Sequence, residues 1–170
     1  MTTITQQEIN RSLEPKRVDQ FYVTFLELDD NHSNILGRQL KSIDRPNMTL
    51  QTSEQYNKGV PIYHHGRIEF NEISLIFIDD DSSLVNKIIY NQLVCNQMGK
   101  GNTQGFTAAR FSLKIKCFNA AGKIVEEWKL KNCFFMNISH SQQVYADAET
   151  PNEITAQIRY DDIEYNFPEL

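Results

Sequence analysis

The sequence is short of positive charge, of cysteine and of long apolar runs. Its 170 residues carry 17 Lys and Arg against 22 Asp and Glu, a net charge of −5. That balance argues against a protein built to hold nucleic-acid phosphates, though not against a surface that nucleic acid merely passes. No apolar stretch approaches the roughly 20 residues that a membrane-spanning helix needs. Residues 1–17, MTTITQQEINRSLEPKR, are polar and show no apolar signal-peptide core. The three cysteines, Cys95, Cys117 and Cys133, are an odd count at irregular spacing. They read as buried thiols in a reducing compartment, not as a disulfide framework.

Catalytic motifs are missing too. There is no G-x-S-x-G elbow, no phosphate-binding loop and no H-E-x-x-H. Gly99, Gly101 and Gly105 follow a predicted helix, whereas a dinucleotide loop follows a strand and opens a helix. His64 and His65 are adjacent, so on a strand they point to opposite faces and cannot share a metal. His32 and His140 stand alone. Asp79, Asp80 and Asp81 could be drawn as a metal cluster, but helix capping explains them more simply. The reading is of a non-enzyme that needs no cofactor and no metal. A small β-barrel enzyme or ligand carrier would need polar groups converging in a pocket, and none can be placed.

What is present is alternation. From Arg67 the chain reads as one long strand to Ile78, with Ile73, Leu75 and Phe77 on one face. Asp79–Ser83 then opens a helix near 82–98, whose apolar stripe is Leu84, Val85, Ile88, Ile89 and Leu93. Residues 18–28 alternate with Phe21, Val23 and Phe25 on one side. Asp29 to Asn34 reads as a turn, and residues 35–42 as a second strand forming a hairpin with the first. Residues 43–47 break the chain at Pro46, Met48 to Tyr56 reads as an extended segment, and Asn57 to Gly66 as a loop or a hairpin turn flanked by short strands, 44–66 as a whole being expected as a long loop. Residues 110–118 and 123–131 give the strongest hairpin signal, with Glu126 interrupting the apolar face of the second strand. Residues 132–139 form a further strand. Residues 153–167 form a last one, with a phase shift at Asp161-Asp162 that predicts a β-bulge.

The expected fold is therefore mainly β (α+β): an antiparallel sandwich or barrel with one flanking helix. A polar arm, 1–17, precedes a single domain, 18–170. Long strands with exposed edges make sense when another chain pairs with them.

Three segments carry a resemblance: RSLEPKRVDQFYVTFLEL near the start, GRIEFNEISLIFIDDDSSLVNKIIYNQL in the middle and TPNEITAQIRYDDIEY at the end. In their order and phase they resemble the tail tube protein of contractile-tailed, T4-like bacteriophages, whose fold recurs in type VI secretion tubes. The resemblance implies a structural subunit of the virion. Such subunits form hexameric rings that share a β-barrel and stack into a hollow tube, through which DNA is ejected. The implied partners are other copies of the chain, the tail sheath protein, the baseplate tube initiator, a tape measure protein in the lumen, and passing DNA held without specificity. No membrane is implied. A baseplate initiator, a tail terminator, or a tube protein of a contractile injection or type VI system is the alternative. On this reading Glu69, Glu72, Ser74, Thr155, Gln157 and Arg159 are expected to line the lumen. Arg45, Asn47, Tyr56 and His64 are expected at ring-to-ring contacts.

Overall fold

The computed structural model describes residues 19–98, 110–143, 145 and 150–168. In chain order they form β1 (Phe21–Leu26), α1 (Asp30–Gln39), β2 (Leu40–Ile43), β3 (Met48–Asn57), β4 (Val60–Phe70) and β5 (Ile73–Ile78). Then come α2 (Leu84–Met98), β6 (Phe111–Phe118), β7 (Ile124–His140), β8 (Glu153–Arg159) and β9 (Asp162–Asn166). Every strand pairing is antiparallel. The predicted arm and the glycines after α2 lie outside the described residues.

One sheet runs β1-β6-β7-β8-β5-β2, with β9 also on β7, and it folds over on itself along β7. The first half of this 17-residue strand pairs with β6 and β9, and the second half with β8. The corner is Asn132, whose φ of 54° is a left-handed conformation that Asn tolerates better than most residues. Before it Leu130 points into the core; after it Cys133 and Phe135 do. Beyond the fold, the two ladders pack face to face. Phe25 of β1 lies 6.4 Å from Phe77 of β5, and Phe111 of β6 lies 5.0 Å from Phe135. Each of these rings is almost fully buried, a contribution of about 1.5–3 kcal/mol apiece.

The predicted bulge at Asp161-Asp162 takes a different form. The phase does shift there, from buried Tyr160 to half-buried Ile163 and Tyr165. Yet the register against β7 runs unbroken across this point, from Phe134↔Arg159 to Lys131↔Asp162. No extra residue is needed, because β7 changes phase at the same level. Register shifts fall elsewhere along β7: against β6, where Phe111 pairs with Cys133 but Leu113 with Leu130 and again near Phe118, and against β8, where Phe135 pairs with Ile158 but Asn137 with Gln157.

Three other expectations are corrected. The described residues hold two helices, not one: the predicted turn and second strand at 29–42 is mostly α1, and only Leu40–Ile43 extends, pairing with β5 and not β1. Residues 67–78 are not one strand, because the chain breaks at Asn71-Glu72 between β4 and β5. Residues 123–131 and 132–139 are one strand, β7. The helix at 84–98 stands as expected and buries Val85, Ile88 and Ile89, while Leu84 faces outward. Asp80 caps it, its carboxylate accepting the Leu84 N–H at 2.9 Å and the Val85 N–H at 3.4 Å. A hydrogen bond from Ser82, with those from the helix, holds the Asp80 pKa below the usual carboxylate value.

The region expected over 44–66 as a long loop is mostly a separate two-stranded ribbon of β3 and β4, ten and eleven residues long: the extended segment expected at 48–56 is β3, and 57–66 takes the hairpin-turn alternative and runs on into β4. Lys58 and Gly59, with φ of 49° and 84°, make the two-residue turn at its tip.

Candidate assembly interface

The ribbon is the least buried regular structure described, and every residue of β3 is exposed. Its register assigns its faces. Met48↔Phe70, Leu50↔Ile68, Glu54↔Tyr63 and Tyr56↔Pro61 are cross-strand pairs, and paired residues project from the same face. A register shift between Leu50 and Thr52 keeps these pairs in one phase along the ribbon. One face therefore carries Met48, Leu50, Thr52, Glu54 and Tyr56 of β3 with Phe70, Ile68, His65, Tyr63 and Pro61 of β4, apolar and aromatic at both ends and polar at Thr52, Glu54 and His65 between them. The other carries Thr49, Glu69, Gln51, Arg67, Ser53, His64 and Gln55, with Ile62 and Val60 toward the tip. Two polar contacts brace it: Gln51 donates to Glu69 at 2.7 Å, and Arg67 pairs with Glu69 at 2.9 Å. At the shift the strands approach so closely that a Cβ on Gly66 would stand 2.7 Å from the Gln51 carbonyl oxygen. A largely apolar and aromatic face on a solvated ribbon marks an interaction surface.

The second surface is the outer face of the β7-β8-β5-β2 ladder. Ile73, Leu75, Phe77, Ile154, Ala156 and Ile158 point inward. Ser74, opposite Gln157, and Thr155, opposite Ile76, therefore point outward. Arg159 joins them and pairs with Glu72 at 3.3 Å. Of the six residues expected to line a lumen, five thus gather on or beside one face, and Glu69 stays apart on the ribbon. Charges here are matched: Lys41 of β2 bonds Glu153 of β8.

Two edges of this ladder have no partner strand among the described residues: β2, and the second half of β7. Such edges template pairing with another chain. The residues expected at ring contacts do not form one cluster. Tyr56 sits on the apolar face near the ribbon tip and His64 on the polar face. Asn47 is at the ribbon root, and Arg45 lies just before it. Sequence reading missed the rest of this face because Thr52, Glu54 and His65 interrupt its apolar pattern.

Chemically the described residues offer little. None of them forms a group of three His, Cys, Asp or Glu placed to hold a metal ion. Cys133 is buried, and its thiol pKa is pushed up to about 12 by burial, which leaves it an inert core residue. No described helix is long and apolar enough to cross a membrane.

No protein-family model and no curated protein sequence matches the chain. Solved structures do. A chain of the anti-feeding prophage baseplate, determined by cryo-EM with 6-fold symmetrisation, shares 16% identity at a TM-score of 0.70, over 92% of this chain and 99% of that one. A chain of the sheath–tube complex of PVC, an extracellular contractile injection system, in its extended state, shares 12% identity at 0.67, over 98% and 100%. An Hcp protein shares 11% identity at 0.52, over 88% and 93%. At these identities the likeness is one of fold, and the fold is that of the tube proteins of contractile injection systems and of Hcp.

Proposed function

We propose that the chain is a non-enzymatic, self-assembling tube subunit of a contractile-tailed bacteriophage. The observation that carries this reading is the projecting ribbon, with an apolar face that the chain itself does not bury. A single soluble copy gains nothing from such a face, whereas a stack of copies covers it. The free edges of β2 and β7 give the second contact. Pairing β2 of one copy with the 134–140 half of β7 in the next closes a ring when the rotation closes, and leaves no strand edge. Six copies make the ring in this reading. The ribbons reach the next ring, with Arg45, Asn47, Tyr56 and His64 at or near the contact.

The ladder face bearing Ser74, Thr155 and Gln157, with the Arg159–Glu72 pair, lines the lumen. Neutral hydroxyl and amide groups and matched charges give phosphates nothing to hold, so DNA passes at ejection. The tail sheath protein lies outside, the baseplate initiator starts the tube, and a tape measure protein fills the lumen before ejection. The assembled subunit is part of the virion. The likeness to chains in a PVC sheath/tube terminator and an anti-feeding prophage tube-terminating cap, at TM-scores of 0.67 and 0.68, favours one second reading: a terminator subunit capping such a tube.

Negative-stain electron microscopy of the purified chain, alone and on isolated baseplates, tests the assignment. Tubes of stacked six-fold rings support it. A single ring that caps preformed tubes and never propagates supports the terminator. A monomer under all conditions overturns both.

A further inference from the structure

The ribbon changes character along its length. Toward the root its two faces differ, one apolar at Met48, Leu50 and Ile68, the other polar at Thr49, Gln51 and Glu69. A ribbon of that kind lies on a flat surface. At the tip both faces are apolar: Tyr56, Pro61 and Tyr63 on one, Val60 and Ile62 on the other, all of them exposed. No flat surface covers two opposite faces at once. A groove with two walls does, and the gain grows with the apolar area removed from water.

The protein carries such a groove at the opposite end of the ribbon. Its volume is about 450 Å³. Gln20 and Phe21 at the start of β1 form one wall, Ser42 to Pro46 at the end of β2 form the other, and Ile115, Cys117 and Trp128 make an apolar floor. The walls are fixed. The Gln20 carbonyl accepts the Phe118 N–H at 2.9 Å, and the Asp44 N–H donates to the Ser74 carbonyl at 3.0 Å. Only Asn47 separates Pro46 from β3, so the groove opens beside the ribbon root. The ten residues of β3, at about 3.3 Å each, put the tip about 33 Å from that root. A chain therefore cannot fill its groove with its own tip.

We infer that the groove receives the ribbon tip of the next copy of the chain, an inference that rests on the tube reading above. Tip and groove are different surfaces, so the contact is heterologous. Each copy offers a tip at one end and a groove at the other, and a stack grows without closing on itself. The same contact unites residues that lie apart within one copy: Arg45 lines the groove and Asn47 adjoins it, while Tyr56 stands at the tip. Charge sets the orientation and not the strength. The wall bears Asp44 and Arg45 and the outer ribbon bears Glu54 and Lys58, one charge of each sign on either side, so only one way of entry pairs opposites.

The test uses two variants of the full chain, each checked for folding by circular dichroism. Val60→Asp spoils the tip, and Ser42→Arg fills the groove. Negative-stain microscopy and sedimentation should find only single rings for each variant alone, under conditions where the parent forms tubes. Mixed together, the two should give stacks of two rings and nothing longer. The intact tips of Ser42→Arg meet the intact grooves of Val60→Asp once, and no second good contact follows. A mixture that stays as single rings overturns the inference, and so do parent-like tubes from either variant alone. Both results leave the tube reading standing, whereas a parent that never stacks removes both. A second measurement keeps assembly intact. Ser42→Cys and Lys58→Cys in one chain, treated with a short bismaleimide, should link successive copies of the tube into a ladder on a denaturing gel and leave the monomer unlinked. Intact tubes that yield no ladder overturn the inference.

Discussion

The Tyr160 hydroxyl donates to the Asn47 carbonyl at 3.3 Å, joining the end of β8 to the root of the ribbon. The same carbonyl accepts the Asn71 N–H at 3.1 Å, and the Tyr160 ring packs on Phe70, 5.6 Å between centroids. One buried tyrosine thus sets where the ribbon leaves the sandwich. Tyr160→Phe should cost about 0.5–1.5 kcal/mol, the worth of one hydrogen bond. Tyr160→Ala should cost about 3–5 kcal/mol, because a cavity is added. Urea unfolding measures both, and hydrogen exchange at Met48–Leu50 should quicken in each.

The same phenol predicts an alkaline limit. Burial raises the Tyr160 pKa above its ordinary value of 10.0. A pKa raised on folding gives stability that is fully present below the unfolded value and is lost as pH rises through the folded one. Stability should therefore fall above pH 10 in the parent and fall less in Tyr160→Phe. Equal alkaline loss in the two would remove Tyr160 as the cause.

The ribbon's apolar face separates folding from assembly. Tyr63→Asp changes an exposed residue, so the stability of the monomer should move by no more than about 0.5 kcal/mol. Ring stacking should be abolished, as read by sedimentation and microscopy. Normal tubes from this variant would remove the apolar face from the contact.

At the start of α2, Asp80→Ala should lower stability by about 0.5–2 kcal/mol, and Asp80→Asn by less, since Asn also caps. The Asp80 pKa is depressed on folding, so its contribution is present above the unfolded value of 3.8 and disappears as pH drops through the lower folded one. The gap between parent and Asp80→Ala in thermal unfolding should thus be widest near neutrality and close in strong acid.

Ile158 is fully buried in β8, which pairs with β5 on one side and β7 on the other. Proline there removes a ladder donor from an interior strand and leaves a buried neighbour unmade. Loss of the folded protomer is expected, not merely loss of assembly, and circular dichroism of Ile158→Pro reads the difference directly.

Where period-two alternation was backed by burial, the sequence was legible. Phe21, Val23 and Phe25, then Ile73, Leu75 and Phe77, then Phe111, Leu113, Ile115 and Cys117 point as their spacing requires. Glu126, which broke the pattern, is buried and accepts a hydrogen bond from Tyr165 at 2.6 Å. Helix α1 was hidden because its residues are poor helix formers and only Leu36 among them is fully buried. Tertiary contacts hold it: Ser33 Oγ donates to the Phe25 carbonyl, and Gly37 lets the helix approach Val23. In the ribbon the β3 half was legible as extended chain, but the β4 half, rich in turn formers from Asn57 to Gly66, left loop and hairpin open because no apolar alternation marks a strand that nothing covers. Ser74, Thr155 and Gln157 share an outer face as their strand phase requires, while Glu69 falls on the ribbon because the chain breaks at Asn71-Glu72, which carries no strong turn signal.

The pairing order of the folded sheet also sets a timetable for synthesis. β1 waits for β6, and β5, whose only earlier neighbour is the short β2, waits for β8, which begins at Glu153. At roughly 5–20 residues per second, the first half of the chain spends several seconds outside the ribosome with its main ladder unmade. During that time the finished ribbon, joined by local contacts alone, is the element able to form first. A nascent chain would therefore display its stickiest surface before it owns a core. Crowded polysomes translating this message would benefit from a chaperone that holds residues 48–70 apart until the last twenty or so residues emerge.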